Sequence, residues 1–120
     1  MYLIRAEARA QQGKITGTAG AIADINALRT RASTGLTGTN VPPQLTTATQ
    51  TEMLNIIERE RVYELAFEGH RWYDLVRTNR AQAVMSAFSP NWNVKYELWP
   101  IPQSEIQRNP SLVGQQNPGY

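Results

Sequence analysis

Apolar positions recur at helical spacing from the start of the chain. In YLIRAEARAQQ, Leu3, Ala6 and Ala10 share one face, and most of the other residues are good helix formers. Gly13 follows, so the pattern predicts a helix over residues 2–12. A second helix is predicted over 18–33, with Ile22, Ile25, Leu28 and Ala32 as its apolar stripe and Thr18 as N-cap. Residues 13–17 join the two into a helical hairpin of about the length of one tetratricopeptide repeat. Residues 34–49, TGLTGTNVPPQLTTAT, lack any period and are rich in Gly, Thr and Pro, which predicts a loop. A third helix starts near Thr51. HRWYDLVRTN continues the helical pattern to Asn79, with Gly69 either capping or kinking it, and a weak helix covers 80–87. From Phe88 the periodicity is lost. Trp99, before Pro100, is expected to be extended. Pro102 starts a short helix through Gln107, and Asn109-Pro110 stops it. No strand pairing emerges. The expected class is all-α: a tetratricopeptide-like helical hairpin (1–33), a loop (34–49), further helices (50–88) and a long irregular C-terminal segment (89–120) with a short helix.

The segment ERERVYELAFEGHRWYDL, residues 58–75, breaks the simple division into apolar core and polar surface. With Glu60 as origin on a helical wheel, Met53, Ile56, Ile57 and Phe67 all fall within about 60°. Glu64 lies about 40° away and Glu68 about 80°. Glu60 is therefore predicted in the middle of an apolar face, with Glu64 beside it. Glu60, Glu64 and Glu68 repel one another at this spacing. A buried carboxylate without a partner costs several kcal/mol, so cations must be close. Arg61 is three residues before Glu64, and Arg71 rejoins this face if the helix runs on through Gly69. Glu60, Glu64, Glu68 and Asp74 still outnumber Arg61 and Arg71, so Arg29, Arg31 or Arg77 is expected to supply the rest. Two readings compete. One is a structural Arg–Glu network. The other is a pair of catalytic carboxylates, Glu60 and Glu64, in a glycoside hydrolase. Adjacent arginines favour the carboxylate anion and oppose a general acid, which favours the structural reading.

Composition narrows the rest. Of 120 residues, 41% are hydrophobic and 18% charged, which describes a globular chain rather than a disordered one. The net charge is +2 with no basic stripe, so nucleic acid is not an expected partner. There is no cysteine and no signal-peptide pattern at Met1. Helical periodicity begins at Tyr2 without an N-cap, and a lone hairpin buries little, so further chain is expected to precede Met1. His70, the single histidine, has neither a nucleophile elbow nor the Glu-x-x-His spacing of di-iron bundles around it, and it reads as a helix-terminus residue. No metal and no cofactor are expected. Trp72 and Trp99 read as core anchors. Trp92, in PNWN, sits between two amides, the combination of ring face and hydrogen-bonding groups that suits a sugar. It is the one candidate ligand-binding residue, against the simpler reading that it fills a gap.

Three blocks carry a family resemblance: ERERVYELAFEGHRWYDLVR (58–77), LWPIPQSEIQRNP (98–110) and QQNPGY (115–120). Together with LIRAEARAQQG and AIADINALRTRA, they are similar to the C-terminal region of the SusD/RagB family, in that family's order. The resemblance implies an all-α, non-catalytic, surface-exposed outer-membrane lipoprotein. Such a protein would bind glycan or other nutrients and pass them to a TonB-dependent SusC-like transporter. Its anchor and signal peptide would lie outside this region. The resemblance further implies that Glu60, Arg61, Glu64, Glu68, Gly69, Arg71, Asp74, Pro100, Pro102 and residues 117–120 define the fold rather than contact ligand. Where the family often has Trp-Gly after DLVR, this chain has Thr78-Asn79, which puts local helix termination in question. A tetratricopeptide-type adaptor that binds peptides is the alternative from another functional class.

Overall fold

The structure, a computed structural model, describes residues 1–38 and 41–120; Thr39 and Asn40 of the predicted loop lie outside the described residues. The fold is all-α, and among the described residues there is no strand. The chain divides into two compact units, Met1–Glu68 and Gly69–Tyr120. No described helix is long and apolar enough to cross a membrane.

The first unit holds α1 (Tyr2–Gln11), α2 (Ala21–Ala32) and α3 (Gln50–Glu64). Its core joins Leu3, Ala6 and Ala10 of α1 to Ala21, Ile22, Ile25 and Leu28 of α2 and Met53 and Ile57 of α3. Ala6, Ala10 and Ala21 are wholly buried, and such small side chains allow close helix packing. Ile25, Met53 and Ile57 are the large buried anchors, each stabilising by roughly 1.5–3 kcal/mol. Ala32, assigned by periodicity to the α2 stripe, is exposed at the last residue of the helix.

Two helix boundaries differ from expectation for local reasons. Thr18 is not the N-cap of α2; Gly20 is. The N–H groups of Ala21 and Ile22 donate to the carbonyls of Lys14 and Ile15 at 2.9 and 3.0 Å, so the returning loop satisfies them without a threonine. A Cβ on Gly20 would stand 2.3 Å from the Thr16 carbonyl oxygen, which explains the glycine. The third helix does not continue through Gly69. It ends at Glu64, and both Phe67 (φ 66°) and Gly69 (φ 76°) adopt left-handed backbone. Phe67, expected on the apolar face, is consequently fully exposed beyond the helix end. At its start, α3 carries a capping box. The Glu52 N–H donates to Thr49 Oγ1, and the Glu52 carboxylate accepts from the Thr49 N–H at 2.7 Å.

Loop 41–49 is pinned from both sides. Asn26 donates to the Leu45 carbonyl and accepts from its N–H, both at 2.8 Å. Gln50 donates to the Ala10 carbonyl at 2.8 Å, satisfying an acceptor at the end of α1.

The second unit holds α4 (His70–Arg77), α5 (Ala81–Phe88) and α6 (Gln103–Arg108), with 3₁₀ turns at Val94–Glu97 and Pro110–Leu112. Asp74, Leu75 and Ala81 are buried. Thr78-Asn79 ends α4. Thr78 donates its hydroxyl proton to the Asp74 carbonyl at 2.7 Å, and Asn79 takes the left-handed conformation (φ 55°) that asparagine tolerates in place of glycine. Trp99 is not a core anchor: the residue is 87% exposed. Its backbone carbonyl, in contrast, accepts from Asn117 Nδ2 at 2.6 Å, so the chain is held while the ring is not covered.

Candidate functional site

Two of the acids singled out by the helical wheel, Glu60 and Glu64, are met by arginines of α2. Arg29 donates from Nε to Glu60 Oε1 at 2.7 Å, again from Nη2 to the same oxygen, and from Nη1 to the Pro43 carbonyl at 2.5 Å. The Arg29 and Glu60 side chains are only 13% and 12% exposed. Arg31 pairs with Glu64, with exposures of 67% and 21%. Glu60 and Glu64 therefore differ in kind: one forms a largely desolvated latch between α2, α3 and the 41–49 loop, the other a solvent-facing ion pair. Because α3 ends at Glu64, Glu68 and Arg71 fall outside the helical series, and the continuous-wheel placement of Arg71 does not hold. Neither these two nor Arg61 and His70 are without a partner. Asp74, buried in α4, accepts from Arg77 Nε at 2.8 Å.

The most buried acid was not among the sequence candidates. Asp24 of α2, with its side chain 2% exposed, accepts from Arg5 Nε and Nη2 at 3.0 and 2.6 Å and from Arg9 Nη1 at 2.8 Å. These hydrogen bonds raise the Arg5 pKa further above its ordinary value. A weaker signal was available: on the α2 wheel Asp24 lies about 40° from Leu28 and about 60° from Ala21, at the edge of the apolar stripe, whereas Glu60 lies in the middle of its face on α3.

Trp92 lies in the second unit, half-buried, between the Val94–Glu97 turn and α5. Its indole Nε1–H donates to Gln82 Oε1 at 2.8 Å. Its ring meets Trp72 of α4 edge-to-face at 5.8 Å and Tyr96 at 5.7 Å. Trp72 thus joins an aromatic stack; interruption of the helix at residues 65–69 removes the register that placed it beside Leu54 and Leu65. Trp92 has its polar edge and two ring contacts already engaged, which leaves a partial surface for any further contact. Trp92 belongs to the second unit and the Arg29–Glu60 and Arg31–Glu64 pairs to the first.

An open cavity of about 610 Å³ runs along α3, lined by Thr47, Ala48, Glu52, Asn55, Ile56 and Arg59. It holds no aromatic side chain. Among the described residues no group of His, Cys, Asp and Glu side chains is arranged to hold a metal ion. The chemistry on display is that of a helical scaffold latched by arginine–carboxylate pairs, with an aromatic stack in its second unit.

Comparison with known proteins gives the family and agrees with the helical fold. The model of the SusD family matches residues 1–120, and the chain belongs to this family. It is 37% identical to SusD-like protein P2 of Formosa agariphila over 87% of the chain and 21% of that relative. It is 34% identical to SusD-like protein P38 of the same organism over 100% of the chain and 23% of the relative. The chain thus spans about a fifth to a quarter of the curated relatives it matches. Among solved structures, a SusD homolog from Bacteroides thetaiotaomicron superposes with a TM-score of 0.72 at 28% identity, covering 99% of this chain and 25% of that one.

Proposed function

We propose that this chain serves as scaffold in a non-catalytic, glycan- or nutrient-binding lipoprotein exposed at the outer-membrane surface. It would hand its ligand to a TonB-dependent SusC-like transporter. Family membership over the whole chain supports this reading. The observation that carries the scaffold assignment is the Arg29–Glu60 latch: the carboxylate that most resembles a catalytic group is bound by a guanidinium from another helix. Residues 58–77 and 98–120 act in this reading as fold-defining segments. Trp92 is the residue here with the chemistry to touch a sugar. Its ring would cover an apolar sugar face while neighbouring amides take hydroxyls.

The experiment is calorimetric titration of the complete protein against a panel of soluble oligosaccharides, with product analysis of each mixture. Saturable binding with no new reducing ends is the expected result. Glycan cleavage that disappears in Glu60→Gln would overturn the reading. Co-purification of a β-barrel transporter from detergent-solubilised outer membranes tests the partner, and its absence under conditions that retain ligand binding would remove that part of the proposal.

A further inference from the structure

The chain's last residues make a concentrated set of contacts. Gln116 accepts from the Ile101 N–H at 2.8 Å and donates to the Ile101 carbonyl at 2.9 Å, pairing with that backbone as a neighbouring strand would. Asn117 donates to the Trp99 carbonyl at 2.6 Å. The Tyr120 hydroxyl lies 3.2 Å from the Lys95 carbonyl and 3.1 Å from that of Leu98. In return, the Lys95 ammonium donates to the Gly119 carbonyl at 3.2 Å and sits 4.9 Å from the Tyr120 ring centroid. Gly119 has φ 91°, and a Cβ there would stand 3.0 Å from Lys95 Cβ, so the close approach requires glycine. Segment 94–101 has little apolar burial of its own: Val94, Tyr96, Leu98 and Trp99 are all exposed. Side-chain bonds from the tail do what a core does elsewhere.

The held segment contains Tyr96, which packs against Trp92, which in turn packs against Trp72 and bonds Gln82. We propose that Gln116, Asn117, Gly119 and Tyr120 form a clasp that fixes segment 94–101 and, through Tyr96, sets the position of the Trp92 ring. The tail is then a positioning device rather than a trailing end. Its consequence for ligand binding rests on the reading of Trp92 as a sugar-facing residue; the clasp itself does not.

Limited trypsin digestion reads the clasp directly, because Lys95 is both a tryptic site and the residue the tail grips. The test compares wild type, Tyr120→Phe, Tyr120→Ala and Gly119→Ala in a Trp99→Phe background, with far-UV circular dichroism as the control for retained helix. Cleavage after Lys95 should speed up by about tenfold in Tyr120→Ala, as expected for release of a locally held segment. Acrylamide quenching of the remaining tryptophans should rise in parallel. Tyr120→Phe, which keeps the ring under the ammonium but loses the hydroxyl, should fall between. Gly119→Ala should match Tyr120→Ala. Unchanged cleavage and quenching in Tyr120→Ala and Gly119→Ala, with helix content intact, would overturn the clasp. Should Tyr120→Ala itself lose helix, Tyr120→Phe decides: cleavage equal to wild type refutes, faster cleavage supports. Oligosaccharide titration of the same variants separates the two ideas. Faster cleavage with unaltered sugar affinity would sustain the clasp and remove Trp92 from the ligand surface.

Discussion

The Arg29–Glu60 latch yields a quantitative expectation through a double-mutant cycle. Glu60→Ala removes the acceptor of two guanidinium hydrogen bonds in a setting where both side chains are nearly desolvated. Removing one partner of a fully buried pair costs about 3–5 kcal/mol, much of it from the charge left behind. Here Arg29 keeps the Pro43 carbonyl and some solvent contact, so the lower end applies, and about 3 kcal/mol is expected. Both bonds reach a single oxygen, Oε1, rather than forming a two-oxygen fork, so the coupling energy should be about 2 kcal/mol, within the range for hydrogen bonds to charged groups. Urea unfolding followed by far-UV circular dichroism on wild type, Arg29→Met, Glu60→Ala and the double variant measures it. The Arg31–Glu64 pair is the internal control: with Arg31 mostly in solvent, its coupling should stay below about 1 kcal/mol. A coupling for Arg29–Glu60 no larger than that of Arg31–Glu64 would refute the claim that burial separates the two pairs.

Further expectations follow from other contacts. Gly20→Ala places a Cβ 2.3 Å from a backbone oxygen. It should cost about 1–3 kcal/mol in urea unfolding through displacement of the α1–α2 turn, whereas a tolerated alanine would mean that the turn is softer than its hydrogen bonds indicate. Thr49→Ala removes the hydroxyl arm of the α3 capping box and should cost about 1 kcal/mol in the same assay; no change would show that Glu52 alone caps the helix. The Thr49 N–H, and then its hydroxyl, hold the Glu52 pKa below its ordinary value. A depressed carboxylate contributes stability that is present above its unfolded pKa and lost as pH falls through its folded one. The stability gap between wild type and Glu52→Gln, which keeps an acceptor but no charge, should therefore be full near neutrality and close under acid. A gap independent of pH would contradict the assigned cause.

The helical class, the hairpin and most of the core were legible in the order of residues. Leu3, Ala6, Ala10, Ile22, Ile25 and Leu28 are buried where a 3.6-residue period puts them, because a helix face is a local property of spacing. The same wheel marked Glu60 and Glu64 as acids in need of cations, and the three sequence blocks carried the family. Three of the readings share one source of error. Phe67, Arg71 and Trp72 were read on a helix assumed to be continuous, and a single left-handed turn at 65–69 cancels that register for everything after it. Thr18 does not cap α2 because the carbonyls of Lys14 and Ile15, in the connecting turn, satisfy the first N–H groups of the helix. Asp24 stands only at the edge of the α2 stripe, and the arginines that bury it come from a different helix.

Periodicity therefore settles which face of a helix is apolar and which charges on that face require compensation. Only the folded chain settles which cation answers each acid, how dry each pair is, and where tail residues bond to another segment's backbone. Those outcomes depend on distances between residues far apart in sequence: 31 positions separate Arg29 from Glu60, and 25 separate Tyr120 from Lys95. No local pattern encodes them, because they arise when helices and loops settle against one another and the buried polar groups take the partners that packing brings within reach.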